Sequence, residues 1–132
     1  MKKNILLLLA LIFLNCSSSN SSSSPFIGNW AGTWTDPVTL ESGAISITID
    51  TNGNVTGSVR NTTLNMNGEV GGTVDDNGNA NFTYTYPGPT TYTETGAVSI
   101  NSSTQLVGNL NEYLGGTLIG TATINLIKQM TS

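Results

Sequence analysis

"GAISITIDTNGNVTGSV", residues 43 to 59, carries the fold. Ile45, Ile47 and Ile49 alternate with Ser46 and Thr48; beyond Asn-Gly, Val55, Gly57 and Val59 alternate with Thr56 and Ser58. A period of two with one apolar face is the pattern of a half-buried strand, and a helix would need a period of 3.6. Asn-Gly between two such runs is the strongest short hairpin signal, and it predicts a type I′ turn with positive φ at both central residues. The segment therefore reads as two antiparallel strands with one face in a core.

The same grammar extends in both directions. Short alternating runs bounded by Asn, Asp, Gly and Pro predict eight strands, at about 28–35, 43–50, 54–61, 64–75, 79–86, 92–101, 105–112 and 116–128. "FTYTY" places Phe82, Tyr84 and Tyr86 on one face and Thr83 and Thr85 on the other. Glycine falls on the inward parity at Gly32, Gly57, Gly72, Gly96, Gly108 and Gly120, a device that lets strands bend enough to close. A Greek-key sandwich is the alternative, but short sequential connections favour an all-β, eight-stranded antiparallel up-and-down barrel. Outward positions such as Thr48, Asn65, Asn67, Thr73, Thr83, Asn109, Thr121 and Thr123 are polar, the reverse of a membrane-spanning barrel.

"DTNGN" from Asp50 and "DDNGN" from Asp75 share the form D-x-N-G-N. A calcium-binding EF-hand loop needs glycine sixth and a bidentate glutamate twelfth. Here glycine is fourth and the twelfth residues are Asn61 and Tyr86, so both pentapeptides are predicted to be turns, with no metal.

The amino-terminal stretch follows other rules. Lys2 and Lys3 precede ten apolar residues from Ile5 to Leu14, too few for the roughly 20 that span a bilayer but the length of a secretory h-region. The run ends in Phe13-Leu14-Asn15-Cys16, followed by Ser17 to Ser24, seven serines and Asn20. Cys16 at that seam resembles the lipobox cysteine of bacterial lipoproteins, which receives lipid and becomes the first mature residue; the family prefers a small residue where Asn15 stands. The resemblance implies a signal peptide at 1–15, a lipidated Cys16 with a Ser-rich tether over 16–25, and a barrel domain over 26–132. It places the chain in the cell envelope, at the outer membrane, held there by lipid on Cys16. One acyl chain anchors only marginally, so stable attachment requires the two or three chains such lipoproteins carry. The eight residues from Ser17 to Ser24 reach at most about 29 Å when extended.

"GNWAGTW" at the start of the first strand resembles the G-x-W opening of lipocalins, and "GTW" with "GAISITIDTNGNVTGSV" is similar to the first hairpins of avidin-like proteins. Both families are eight-stranded calycin barrels. The likeness covers residues 28 to 59. It departs in two places: the last strand offers Lys128 where lipocalins pack an arginine across the first tryptophan, and Val59 stands where avidins place a tyrosine. Biotin binding is not expected.

Composition removes several functions. Without residues 1–15 the chain has Arg60 and Lys128 against eight acidic residues, a side-chain charge of −6. Nucleic acid is not an expected partner, because phosphate binding needs a basic face. There is no histidine, and Cys16 is the single cysteine. Nucleophilic triads and His-based zinc sites are thereby excluded, and a glycosidase carboxylate pair needs a cleft of defined width. The chain is expected to be no enzyme and to need no cofactor.

Strand direction places the turns at 50–54, 75–79 and 101–105 at one barrel end. The longer connections "TDPVTLESG", "RNTTLN", "YPGPTTY" and "NEYLGG" fall at the other. Inward parity then puts Trp34, Tyr86, Tyr92, Glu94 and Glu112 near that mouth, with Tyr113, Asp36 and Arg60 at its rim. Aromatic groups with a few polar ones form ligand mouths, although the same aromatics can fill a narrow barrel completely. Two functions stay open: a tethered binder of a small or apolar ligand at Trp34, Tyr86, Tyr92, Glu94, Glu112 and Tyr113, or a closed barrel that shows its loops to another protein as inhibitor, adhesin or assembly subunit.

Overall fold

The computed structural model describes residues 22–88 and 90–131. The signal peptide, Cys16 and most of the serine tether lie outside the described residues. Eight strands run in chain order: β1 (Gly28–Asp36), β2 (Glu41–Ile49), β3 (Asn54–Asn61), β4 (Met66–Val74), β5 (Asn79–Thr85), β6 (Thr91–Ser102), β7 (Gln105–Leu114) and β8 (Thr117–Lys128). Each pairs antiparallel with the next, and β1 pairs with β8, so the sheet closes into an up-and-down barrel. Closure removes every sheet edge, which leaves no strand open to pair with another chain.

The period of two decides what fills the barrel. Ile45, Ile47, Ile49, Val55, Val59, Val70, Phe82, Tyr84, Val98, Leu106, Leu110, Ile124 and Leu126 point inward and are buried. Outside, short polar side chains bond across strands: Thr48 Oγ1 donates to Asn29 Oδ1 at 2.7 Å and Thr123 Oγ1 to Asn109 Oδ1 at 2.9 Å. The inward glycines serve closeness. A Cβ at Gly32, Gly57, Gly72 or Gly96 would press on a backbone carbonyl of the neighbouring strand.

The end with the short turns is sealed. Trp30 is fully buried there and donates its Nε1–H to the Phe26 carbonyl at 2.8 Å, which folds the segment before β1 under the barrel with Phe26 buried. Lys128, the β8 partner of Trp30, holds Nζ 5.3 Å from the tryptophan ring centroid, a cation–π contact at the place where the lipocalin pattern has arginine.

The turns differ from the sequence expectation. In D-x-N-G-N only the glycines have positive φ, 79° at Gly53 and 83° at Gly78. Gly53 N–H donates to the Asp50 carbonyl at 3.0 Å, while Asp50 Oδ1 takes the N–H of Asn52 and Asn54 at 2.8 and 2.9 Å; Asp75 repeats the arrangement. This is a type I turn followed by a left-handed glycine, not type I′. The aspartate decides it, because its side chain holds the N–H groups that a two-residue turn would turn elsewhere. Positive φ at two successive residues occurs instead at Gly115 and Gly116, 59° and 83°. There β7 and β8 continue through Asn111–Leu114 and Thr117, so "NEYLGG" is mostly strand with a two-residue turn and not a long connection. The remaining differences are short: β2 begins at Glu41 and not at 43, and β4 begins at Met66, which leaves Asn65 in the turn with φ 56° and not on the outer wall.

Replacing Trp30 by alanine removes the plug, the Phe26 bond and the seat of Lys128 together. Trp30→Ala should cost about 3–5 kcal/mol of stability, the range for a large buried aromatic. A urea midpoint implying a loss under about 1 kcal/mol would place Trp30 outside the core.

Candidate functional site

Strands β1, β3, β5 and β7 rise to the end opposite Trp30, and their last inward side chains meet there. β5 supplies Tyr84 and the residue just after it, Tyr86; β6 supplies Tyr92 and Glu94; β7 supplies Glu112; β1 supplies Trp34 and Asp36. Register brings Glu94 directly opposite Glu112 and Tyr84 opposite Tyr92, so both glutamates share this end. Tyr84 donates its hydroxyl to Glu94 Oε2 at 2.8 Å, and Tyr86 meets Tyr92 edge-to-face at 5.9 Å. Trp34 Nε1–H donates to the Arg60 carbonyl at 3.3 Å.

Burial without a cation governs the chemistry of this layer. Glu94 is buried, and desolvation, opposed by the Tyr84 hydrogen bond, pushes its carboxyl up to about 8. Desolvation, then the neighbouring Asp36 carboxyl, which favours the protonated form, push half-buried Glu112 up to about 7. Every charged neighbour acting on these two groups is itself acidic: Asp36 and Glu112 on Glu94, Asp36 and Glu41 on Glu112. Burial also raises Tyr84 well above its ordinary value and Tyr86 to about 12, so both phenols stay protonated donors. Among the described residues no group of three acidic, cysteine or histidine side chains is arranged to hold a metal ion.

The hollow beneath this layer is lined by Trp34, Val59, Tyr84, Tyr86, Glu94 and Glu112 and measures only about 10 Å³. That admits about one water molecule. Roomier depressions lie on the outer wall, such as one of about 440 Å³ over β1–β3, where Ala31, Ala44, Ser46 and Ser58 leave the sheet bare. The aromatics therefore fill the barrel. Trp34, Tyr86, Tyr92, Glu94 and Glu112, the residues expected near the mouth, come together in this layer, while Tyr113, expected at the rim, pairs with Thr93 on the outer parity beside a register shift between β7 and β8. The other two expected rim groups are not on the rim surface: one is buried within this layer and the other is on the outer wall. Asp36 is buried, 2% exposed, and Arg60 faces the outer wall, where its guanidinium donates to Asn67 and Asn65 Oδ1 at 3.0 and 2.9 Å.

What the sequence reading missed is the rim itself. Val38, Leu40, Leu64, Leu114 and Leu118 are exposed, Leu40 by 80%, and all five stand at this one end. Single exposed aliphatics are ordinary, whereas several at one end are a candidate contact surface. Buried side chains hold it in shape. Asp36 Oδ1 accepts the N–H of Val38 and Thr39 at 2.7 and 3.2 Å, and Asn61, equally buried, accepts the N–H of Leu64 at 2.9 Å while donating to Glu41 Oε2 at 2.7 Å. Leu40 is kept at φ 59°, a conformation uncommon for a bulky residue. The available signal was aliphatic residues inside otherwise polar connections: Val38 and Leu40 in the first, Leu64 in the second and Leu114 beside the last turn.

The carboxyl layer sets an unusual pH profile. Glu94 and Glu112 keep their protons in the folded chain up to about 8 and about 7, but in the unfolded chain they ionise above their ordinary 4.5. Their stabilising effect is thus full below 4.5 and fades as pH rises to about 8, by up to about 1.4 kcal/mol per pH unit for the buried Glu94 and less for solvent-screened Glu112. Asp50 and Asp75, lowered chiefly by the Asn54 and Asn79 side chains, act oppositely and lose their contribution as pH falls below their ordinary 3.8. Stability should peak near pH 4 and fall to pH 8. Urea midpoints at pH 4.5, 6 and 8 should show that fall for the parent and a clearly shallower one for Glu94→Gln; equal slopes would mean Glu94 is not buried as a neutral acid.

The site has to be read from its own chemistry, because no family model matches the chain and no curated protein matches it.

Proposed function

We propose that this chain is a lipid-anchored envelope protein whose filled barrel is a rigid stand for a protein-binding rim. The observation that carries this reading is the combination of an interior with room for about one water and five exposed aliphatics gathered at a single end. A small apolar ligand has no interior volume to occupy. The rim, by contrast, has what a protein contact uses: aliphatic side chains on held connections, around acidic groups that lack a cation. A partner of matching chemistry presents apolar side chains around a lysine or arginine that meets Glu41 and Glu112.

Polarity of the barrel supports the arrangement. The chain enters at the sealed end, under Trp30, so a tether running back to lipid on Cys16 leaves the rim facing away from the bilayer. The closed eight-stranded form is compatible with the calycin resemblance. The loop-display role needs only that form, not a calycin cavity.

Two measurements test the reading. Cys16→Ala should move the protein from the membrane to the soluble fraction; retention equal to the parent would remove the anchor. Photo-reactive residues placed at Leu40 and Leu118 in the producing cells should give a discrete protein adduct that the outer-wall positions Thr48 and Asn109 do not give. If rim and wall give the same pattern, or if native mass spectrometry finds a small molecule bound in its place, the display reading fails.

A further inference from the structure

Asp36 is the one described group whose burial the barrel leaves unresolved. Its Oδ1 holds the connection between β1 and β2 through Val38 and Thr39, whereas its Oδ2 is buried with no hydrogen-bond partner. An unpaired buried carboxylate oxygen is costly. The surroundings supply one candidate donor. The Asp36 carboxyl reaches over β8 at Gly120, where an added Cβ would collide with Oδ2. Gly120 is in turn the register partner of Glu112 on β7. The strand between β1 and β7 thus carries no side chain at the one position where two carboxyls meet across it.

We propose that a single proton held by Glu112 and shared with Asp36 Oδ2 locks the connection between β1 and β2 in the shape that presents Val38 and Leu40, and that losing this proton to water unlocks it. Only the Glu112 O–H bond breaks, and the proton passes to solvent. The groups facing Glu112 are Asp36 from β1, Glu41 from β2, Tyr86 after β5, and Glu94 and Tyr92 from β6; β8 contributes only the bare Gly120. Among the described residues none of these groups is a cation, and only neutral phenol hydroxyls are left to oppose the second negative charge once the proton leaves. Two carboxylates side by side repel, and the weaker restraint is the loop that Asp36 holds by two N–H bonds. Burial and the neighbouring Asp36 carboxyl put the Glu112 proton at about 7. The inference rests on the rim reading for its consequence: the lock would make partner binding depend on pH.

The test reads the lock alone and needs no partner, so its failure leaves the rim reading intact. In 13C,15N-labelled full-length protein in zwitterionic detergent micelles, the amide resonances of Val38 and Thr39 should shift sigmoidally between pH 5.5 and 8.5, with the same midpoint as the Glu112 side-chain carboxyl carbon. Glu112→Gln, which keeps a permanent N–H donor toward Asp36, should abolish the shift and hold both amides at their low-pH positions. Amides that do not move over this range, that move with a different midpoint from Glu112, or that titrate unchanged in Glu112→Gln would overturn the proposal. Should Glu112→Gln fail to fold, the match or mismatch of midpoints in the parent decides it.

Discussion

Closing eight short strands on themselves leaves an interior just wide enough for side chains, and this volume constraint governs everything else in the molecule. Every inward position must either fill space or let a neighbouring backbone approach. The isoleucines of β2, Phe82, Tyr84 and Trp30 do the first, and the inward glycines do the second. What results is a core with a gradient along its axis. At one end the Trp30 indole, held by Phe26 and covered by Lys128, makes a dry seal. At the other the last inward residues are tyrosines and carboxylic acids, which stay inside only because they hold their protons or reach one another.

The gradient explains why the two ends serve different purposes. A sealed end with aspartate-clamped turns gains rigidity from side-chain to backbone bonds that begin and end within five residues. At the open end the same device recurs with buried Asp36 and Asn61, but there it positions exposed aliphatics. Loops on a rigid scaffold are where proteins place their contacts, and here the scaffold reaches into the loops through those buried side chains. Stability and the shape of the rim are linked, since the buried Asp36 that holds the connection between β1 and β2 belongs to the same acidic layer as Glu94 and Glu112.

Much of this was legible in the residues. Alternation of Ile45, Ile47 and Ile49 and of Phe82, Tyr84 and Tyr86 carried the strands, their faces and, through short connections, the closed order. Parity and strand direction sufficed to put Glu94 and Glu112 at one end. Turn type escaped because it depends on which N–H groups an aspartate side chain captures, and Asn-Gly alone does not say.

By itself, then, the sequence determined a period, a count of strands and a direction, since these follow from local alternation and short connections. Three features were settled only by tertiary structure. The interior is full, because volume depends on how side chains from eight strands interdigitate. Val38, Leu40, Leu64, Leu114 and Leu118 stand exposed at one end of the barrel, because nothing local relates residues up to eighty positions apart. Asp36 and Glu112 converge on the same point of β8, because Gly120 leaves the wall bare where β8 passes between β1 and β7.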